Sequence, residues 1–370
     1  MKLIATFGAL SAFMASSALA GGIERTPQSV RTLFEDGRYL EFGVTFGNPR
    51  VTGSGVNAVP GATGPAPSGN ITDDFYSFGA SFKADLNDRL SYAIIFDQPF
   101  GADVQYPTGT GNLFAGSNAT FDSNALTGVL QYNFDNGFSV YGGVRAQSIE
   151  ADVALPFVSF PAGYTAVGDR ELEFGYLVGV AFERPDIALR VALTYNSAID
   201  YDLGTVEAVG GTTVSTVSTE IETPQSVNLE FQTGIAKDTL LFGSVRWVEW
   251  SEFAIDPAFF ASAISTTGDA LVFFEDDRVT LNLGLGRRLN DTWTILGSLG
   301  YERTTGSTTG NLGPTDGFMS ASVGAIYTRD NMRITGGISY VDIGSATTNV
   351  GARFTDNSAF GATLRFGYSF

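Results

Sequence analysis

The chain ends in Phe360-Gly-Ala-Thr-Leu-Arg-Phe-Gly-Tyr-Ser-Phe370, a stretch that alternates between two kinds of side chain. One face is apolar and holds Ala362, Leu364, Phe366, Tyr368 and Phe370; the other holds small or polar residues. An alternating strand with an aromatic carboxyl terminus is typical of the strand that closes an outer-membrane β-barrel. An edge strand of a soluble sandwich is the alternative, but a hydrophobic terminal edge invites aggregation. We interpret Phe366, Tyr368 and Phe370 as a signal for the barrel assembly machinery.

The amino terminus predicts export from the cytoplasm. Lys2 precedes an apolar run, and Ser17-Ala-Leu-Ala20 has the small residues of a cleavage site, so residues 1–20 are interpreted as a secretory signal peptide. The run is too short to span a bilayer, and no other stretch reaches 18 apolar residues. We therefore expect a multi-pass protein of a Gram-negative outer membrane that crosses the bilayer with strands.

Composition narrows the possible functions. The chain has 45 Gly and 30 Phe, 16% charged residues and a mean hydropathy of +0.09, which fits strands with one lipid face and one polar face. It has no Cys and no His, which excludes thiol chemistry, Ser-His-Asp catalysis and His-ligated metals. We predict no cofactor and no metal. The net charge of -18 argues against nucleic acid as a partner and against an anion-selective pore.

Turn signals divide the chain into hairpins. The short turns are Asn87-Asp88, Asn136-Gly137, Pro185-Asp186, Lys237-Asp238, Asn290-Asp291 and Asp330-Asn331. Alternating segments of about ten residues flank them, long enough to cross a bilayer at a tilt. Longer Gly-, Ser-, Thr- and Pro-rich connections lie between the hairpins, at 53–72, 103–120, 151–168, 203–222, 254–274, 306–315 and 346–356. The sequence thus predicts an all-β, antiparallel transmembrane barrel of about 14 strands, with both termini on the periplasmic side.

The first residues of the mature chain, 21–38, do not alternate and precede the first strand. Their apolar residues have near-helical spacing: Ile23, Val30, Leu33 and Phe34. We predict that this segment is a short hatch that plugs the lumen, followed by the barrel at 39–370. A flexible periplasmic tail is the alternative.

Three stretches resemble the FadL/TodX family of outer-membrane transporters. They are Thr223-Pro-Gln-Ser-Val227, Leu240 to Phe253 and Asp316 to Tyr327. The most specific element is Trp250-Ser-Glu-Phe253. The resemblance implies a fourteen-stranded, monomeric barrel in outer-membrane lipid, with an N-terminal hatch. It also implies uptake of hydrophobic molecules, long-chain fatty acids first among them, by loop capture, luminal binding and lateral release.

The family releases its substrate through a gap at a kink in the third strand. Here that strand is predicted to run from Leu90 to Gly101. Pro99 cannot donate a ladder hydrogen bond and Gly101 has no side chain to pack, so pairing should break there. We assign the lateral gate to Gln98, Pro99, Phe100 and Gly101. Alternatively, Pro99 marks the end of the strand at the extracellular rim.

Arg145 lies where the family has a basic residue that holds the substrate carboxylate, and strand parity separately places it in the lumen. A second basic residue is expected near the start of the tenth strand, but Phe273-Phe-Glu-Asp-Asp-Arg278 has acids there and a displaced arginine. The clamp is therefore predicted to be Arg145 with Arg278 or Arg246.

The loop 254–274 is unusually apolar for an extracellular connection. We predict that Phe259 and Phe260 contact ligand; a loop folded over the barrel mouth as the core of a lid is the alternative. Trp250 faces the lumen by parity and is a further ligand contact, whereas Trp247 faces lipid as an interfacial anchor.

The predicted function is uptake of hydrophobic molecules through the outer membrane. A general small-solute porin is the rival within transport, and a water-filled lumen would favour it. A structural or adhesive barrel would be favoured by a lumen packed with ion pairs. An outer-membrane hydrolase is disfavoured because the chain has no histidine.

Overall fold

The computed structural model describes residues 22–59, 63–158, 162–265 and 268–370. The predicted signal peptide, residues 1–20, lies outside the described residues. Within the described residues, fourteen antiparallel strands form one closed barrel, as the turn signals predict. No helix in these ranges is long and apolar enough to cross a membrane.

The barrel strands are numbered along the chain. They are β1 (Tyr39–Arg50), β2 (Phe75–Asp85), β3 (Leu90–Asp97, continued by Gly101–Gln105), β4 (Asn118–Asn133), β5 (Phe138–Leu155), β6 (Tyr164–Arg184), β7 (Leu189–Asn196), β8 (Ser226–Ala236), β9 (Thr239–Val248), β10 (Arg278–Arg288), β11 (Trp293–Glu302), β12 (Phe318–Arg329), β13 (Met332–Ile343) and β14 (Asn357–Ser369).

The six short turns predicted from the sequence join β2 to β3, β4 to β5, β6 to β7, β8 to β9, β10 to β11 and β12 to β13. They share one end of the barrel, here called the turn end. Several contain a residue in the left-handed region that tight hairpins require, with φ of 85° at Gly137, 58° at Asp238 and 52° at Asp330. The seven longer connections lie at the opposite, loop end.

The loop end contains further short elements. Its strands are Thr52–Gly55, Ala66–Asn70, Ile199–Leu203, Thr205–Val209, Thr212–Ser215, Thr219–Thr223, Ala254–Ile255, Val272–Phe273, Thr308–Thr309, Ala346–Thr348 and Arg353–Phe354. Its helical turns are the 3-10 turn Trp250–Glu252 and the π-helical turn Phe260–Ile264. At the turn end, Pro185–Ile187 forms a 3-10 turn. These elements fold inward and over the barrel mouth.

The barrel closes between its first and last strands. β1 pairs with β14 along its full length, from Tyr39 opposite Ser369 to Arg50 opposite Ser358. On its other side β1 pairs with β2, from Tyr39 opposite Lys83 to Gly47 opposite Phe75. Pairing of the first and last strands removes the two outer edges of the sheet, which a barrel in lipid requires because the bilayer core has no water to bind backbone groups.

The two faces of the strands follow the alternation in the sequence. Leu281, Leu283 and Leu285 of β10 are exposed on the outer face, and Arg278 and Thr280 are buried inside. In β14 the outer face carries Leu364, Phe366, Tyr368 and the terminal Phe370, all exposed. The predicted register of these strands is confirmed. The role of Phe366, Tyr368 and Phe370 in barrel assembly stays a prediction.

Residues 22–35 lie inside the barrel, with a 3-10 turn at Arg31–Phe34, and residues 36–38 are exposed. Val30 and Leu33 are each 1% exposed. They belong to a cluster of luminal side chains on β3 to β7: Ala93, Val129, Tyr141, Leu177, Ala181 and Ala192. Phe34 packs at the edge of this cluster, edge-on to Tyr141 at 6.0 Å between ring centroids. The apolar residues of the segment thus face the barrel wall, unlike those of a free tail.

Candidate functional site: the broken wall and the lumen

Strand β3 is interrupted inside the barrel wall. Its first part ends at Asp97 and its second part begins at Gly101, so Pro99 lies in a break within the strand. The second part pairs with β4, from Gly101 opposite Asp122 to Gln105 opposite Asn118. The strand resumes beyond Pro99, so Pro99 does not mark its end, and the role of Gln98, Pro99, Phe100 and Gly101 as a lateral gate stays a prediction.

The break opens the contact between β2 and β3. Their ladder runs from Asp85 opposite Ser91 to Ala80 opposite Phe96 and stops there. On the other side, β1 stays paired with β2 as far as Phe75. Residues 75–79 of β2 therefore have no strand partner from β3, a stretch of about 15 Å at ~3.3 Å per residue. The wall has a gap at this position.

Polar groups freed by the break find other partners. The Phe78 N–H donates to Gln98 Oε1 at 2.8 Å, and Gln98 Nε2 donates to Asn124 Oδ1 at 3.2 Å. The Phe100 N–H donates to Ser123 Oγ at 2.8 Å. Gln98 therefore bridges the gap with its side chain in place of a backbone ladder, which satisfies backbone polar groups in the wall without closing it.

The hatch takes up the remaining groups. The Arg25 N–H donates to the Pro99 carbonyl at 2.7 Å, and the Gly101 N–H donates to the Ile23 carbonyl at 2.7 Å. The hatch thus acts as a short substitute strand against the break in β3. The position of the hatch and the shape of the gap are consequently coupled.

A chamber of ≈ 160 Å³ lies between the hatch and the open wall, here called the wall chamber. Its wall side is formed by Ser77, Phe78, Gly79, Ala80, Ile95 and Phe96. Phe78 is 56% exposed on the outer face and also lines the chamber. The chamber therefore extends from the lumen to the outer surface of the barrel.

Ion pairs hold the hatch in the lumen. Glu24 pairs with Arg246, whose Nε lies 2.7 Å from Glu24 Oε1, and Glu35 pairs with Arg333 at 2.8 Å. Arg31 pairs with Glu41 of β1. In each pair one partner comes from the hatch and one from the wall. The sequence analysis places these arginines inside the barrel but does not match them with hatch residues, because no pattern along the chain links positions so far apart.

The three arginines proposed as a carboxylate clamp have different surroundings. Besides its pair with Glu24, Arg246 donates to Ser226, Asn228 and Gln28. Arg278 is bound to the buried Asp316 at 2.7 Å. Both therefore already have carboxylate partners and lie in structural networks.

Arg145 differs from the other two arginines. It is 6% exposed, and its Nε donates to Thr127 Oγ1 at 3.1 Å. No acidic side chain of the described residues lies within 4 Å of its guanidinium. Among the three predicted clamp residues, Arg145 is thus the one whose guanidinium has no carboxylate partner. It does not line the wall chamber, nor the second cavity described below.

Trp250 lies at the centre of an aromatic cluster. Its ring is 1% exposed and packs on Phe100, Phe253 and Phe274, with centroids 5.7, 5.5 and 5.0 Å away. Ile23 of the hatch belongs to the same cluster. The cluster thus joins the break in β3, the hatch and the loop after β9. Trp250 lines neither cavity, and Trp247 is partly buried and donates to Asp277 Oδ2 at 3.1 Å.

A second cavity of ≈ 50 Å³, the loop-end cavity, lies above this cluster. Its lining is mostly aliphatic and includes Ile23, Val104, Val153, Leu203, Ile255 and Leu271. Asp152 is the charged residue in that lining, and no Lys or Arg of the described residues takes part. A cavity of this kind suits an apolar group and has no cation to hold an anionic one.

The described residues of the loop 254–274 cover the loop-end cavity, and this loop is called the lid from here on. Ile255, Pro257, Leu271 and Val272 of the lid line the cavity. Phe259 and Phe260 pack on the core at the barrel mouth, with Phe260 5.8 Å from Tyr164 between centroids. The lid-core alternative fits this arrangement, and ligand contact by Phe259 and Phe260 stays a prediction.

A buried carboxylate fastens the lid. Glu207, 0% exposed, accepts the N–H groups of Phe259 and Phe260 at 2.7 and 2.8 Å and the Tyr164 hydroxyl at 2.7 Å. Burial, and second the nearby Glu207, raises the pKa of Asp256 in the lid. The sequence analysis missed Glu207. Glu207 lies in an alternating strand of a loop, and the sequence around it gives no sign of its role. The backbone N–H groups that it binds, those of Phe259 and Phe260, are about fifty residues away along the chain.

No group of three or more acidic side chains in the described part of the chain is placed to hold a metal ion. The arrangement consists of a gap in the wall, a polar chamber, an apolar cavity and a covering lid. It suits passage of a molecule.

Comparison with known proteins identifies the class of this barrel. A family model described as "Outer membrane protein transport protein (OMPP1/FadL/TodX)" matches residues 32–369. The chain therefore belongs to this family, as the sequence resemblance predicts. It is an outer-membrane transport protein for hydrophobic compounds, not an enzyme. No curated protein matches the chain.

Solved structures share the fold at low sequence identity. A Pseudomonas aeruginosa FadL homologue has a TM-score of 0.73 and 17% identity, covering 99% of this chain and 98% of that one. The Pseudomonas putida toluene transporter TodX has a TM-score of 0.64 and 12% identity, covering 95% and 96%. The Ralstonia pickettii toluene transporter TbuX has a TM-score of 0.61 and 14% identity, covering 98% and 99%.

Proposed function

We propose that this protein takes up long-chain fatty acids and related hydrophobic molecules and releases them sideways through the gap between β2 and β3. The observation that carries the proposal is the wall chamber, which is lined both by the hatch and by Phe78 on the outer face. A hydrophobic molecule gains nothing from entering periplasmic water. Lateral release into the bilayer keeps its apolar surface out of water, at about 0.8 kcal/mol per CH₂.

The break in β3 supports lateral release because it is maintained by dedicated contacts. An unpaired backbone group at membrane depth costs several kcal/mol unless protein or water satisfies it. Here Gln98, Ser123 and the hatch satisfy those groups. A gap whose edges are satisfied in this way is a stable part of the fold.

The gate is tested by Pro99→Val combined with Gly101→Val. Valine at both positions restores a ladder donor and β propensity, and a Cβ at position 101 would displace the Arg25 side chain, which lies against this glycine. Uptake of fatty acid by cells should fall while folding and surface capture persist. A matched control is Gly128→Val, at an open position of β4 away from the break. Unchanged uptake in the double variant would show that substrate leaves by another route.

We further propose that Arg145 orients the carboxylate. Support comes from its buried guanidinium, which has no acidic partner among the described residues within 4 Å. Arg145→Ala should weaken binding of a long-chain carboxylate by about 1.5–3 kcal/mol, the range for hydrogen bonds to charged groups. Binding of the matching methyl ester should change far less. Equal losses for acid and ester would mean that Arg145 only supports the lumen wall.

Neutral hydrophobic molecules are the second candidate substrates. The loop-end cavity is mostly aliphatic and contains no Lys or Arg among the described residues, so a neutral molecule fits it without an unpaired charge. Two structural neighbours are toluene transporters. Uptake of toluene and of palmitate, measured side by side in cells with and without the protein, ranks the two classes. A general small-solute porin would instead pass sugars at a comparable rate.

A further inference from the structure

The wall chamber is lined by Arg365 of β14, which lies outside the hatch and forms no ion pair with the described residues. Among the described residues, no hydrogen bond, ion pair within 4 Å or ring contact engages the Arg365 side chain, although it lines the chamber and lies inside the barrel. Nearby Glu41 is already bound by Arg31 and by the Tyr39 hydroxyl at 3.1 Å. Arg365 is half-buried and its guanidinium is open to the chamber, so a bound anion or water can reach it at this position.

The cross-strand register aligns Arg365 with the open wall. Arg365 of β14 lies opposite Gly43 of β1, and Gly43 lies opposite Gly79 of β2. All three positions have the inward parity of their strands, and the Arg365 side chain lies against Gly43, where a Cβ would be 3.2 Å from its Cγ. The stem of Arg365 therefore covers Gly43, and Gly79 on the neighbouring strand presents no side chain of its own. The guanidinium side of Arg365 is thus separated from the edge of the gap by about one strand spacing, roughly 5 Å.

The charges of the chamber leave room for one anion. Its lining includes four arginines, Arg25, Arg31, Arg190 and Arg365, and three carboxylates, Glu41, Asp97 and Glu230. Glu230 accepts a hydrogen bond from Ser29 and Asp97 accepts one from Thr26, so both bind the hatch. The lining thus has one arginine more than it has carboxylates, and the acids just outside it, Glu183 and Asp122, interact with Arg190 and Arg25 rather than with Arg365. Arg365, whose one acidic neighbour already binds Arg31, is therefore the lining arginine best placed to attract a carboxylate.

The chamber also has apolar surface near the gap between β2 and β3, where the apolar tail of a carboxylate ligand would leave the barrel. Ile95, Phe96 and Phe78 line it on the wall side, and Phe231 and Phe242 line it from the opposite side. A group with an anionic head and an apolar tail matches this division. The head would lie at Arg365 and the tail would extend past Gly79 to the gap.

We propose that the wall chamber is a binding site for single-chain carboxylates, with Arg365 as the residue that holds the carboxylate during exit. The site is separate from Arg145, which does not line the chamber. This inference rests on the proposed lateral route and adds to that route a binding site that prefers carboxylates over neutral molecules. A guanidinium can hold a carboxylate through two parallel N–H···O bonds, a geometry that water does not reproduce.

The test uses the absence of cysteine in the chain. Phe78→Cys places one thiol at the mouth of the chamber. The probe is a 12-carbon carboxylate with a terminal iodoacetamide, compared with its methyl ester; the thiolate displaces iodide and a carbon–sulfur bond forms. With purified protein in detergent, we expect the acid to label the thiol faster than the ester. Arg365→Met should slow labelling by the acid roughly 10- to 100-fold and leave labelling by the ester unchanged.

The controls distinguish an effect of the Arg365 charge from an effect of the substitution on the fold. Arg365→Lys should restore a large part of the acid rate. Lys83→Met removes a luminal cation that lies outside the chamber and pairs with Asp85, and it should not alter the preference for the acid. Heat-modifiable mobility on gels checks that each variant is folded. Equal rates for acid and ester in the parent, or an equal slowing of both by Arg365→Met, would overturn the proposal. Labelling by neither probe would overturn the lateral route as well.

Discussion

At the loop end, the barrel interior is built mainly from aromatic and aliphatic side chains, whereas towards the turn end charged pairs lie beside a smaller apolar cluster around Val30 and Leu33. In the upper half, Trp250, Phe253 and Phe274 pack with hatch residue Ile23, and the Glu24–Arg246 pair lies next to them. In the lower half, Arg31 and Glu35 of the hatch each pair with a wall residue. The hatch contributes to both regions.

The difference separates two tasks that one lumen must perform. An apolar cavity under a lid binds a hydrophobic molecule without regard to charge, because burial of apolar surface is non-directional. A charged chamber is selective, because an unpaired ion in a low-dielectric region is costly and a matched one is not. The apolar cavity and the charged chamber that the proposed function uses therefore lie in different parts of the lumen.

The largest expected effect comes from removing the element that joins the two halves. Deleting residues 21–34 removes Glu24, Arg31 and the buried Val30 and Leu33, so the lumen loses its main filling. Conductance in a planar bilayer should rise severalfold. Val30→Ala with Leu33→Ala keeps the ion pairs and should raise it far less. An unchanged conductance of the deleted protein would show that the segment does not block the lumen.

A smaller effect is expected within the upper half. Trp250→Ala removes a ring that is 1% exposed from the aromatic cluster and should lower the free energy of unfolding by about 3–5 kcal/mol. Unfolding in urea, followed by fluorescence of the remaining tryptophans, measures this loss. Trp247→Ala is the matched control, since Trp247 is only partly buried, and should cost clearly less. Comparable losses for both would contradict a core role for Trp250.

The smallest effect concerns the lid alone. Glu207→Gln weakens the bonds to the Phe259 and Phe260 N–H groups and should destabilise the closed lid by about 1.5–3 kcal/mol, because a neutral acceptor replaces a charged one. Hydrogen exchange at 254–274 should accelerate while exchange in the strands stays unchanged. Glu220→Gln, at an exposed position of the same connection between β7 and β8, is the control. Equal exchange in all three proteins would show that Glu207 does not fasten the lid.

Much of the architecture was predictable from the sequence because alternation and turn chemistry are local. The period of two in β10 and β14 identifies the outer face, and turns such as Lys237-Asp238 identify the hairpins. Pro99 marked the break in β3 through its missing N–H. The partners of the luminal arginines could not be predicted, since parity specifies a face but not which side chain lies opposite across the lumen.

The sequence by itself determined the barrel, the strand number and the register, because each follows from side-chain periodicity and turn chemistry along the chain. The class of transporter followed from the family resemblance, and the site of the break from that resemblance together with the backbone chemistry of Pro99. The tertiary structure alone decided that the hatch completes the broken strand, that Arg246 and Arg278 are already paired, and that Arg365 is not. These features depend on which residues of distant strands meet in the closed lumen. Closure brings them together only after every strand is in place.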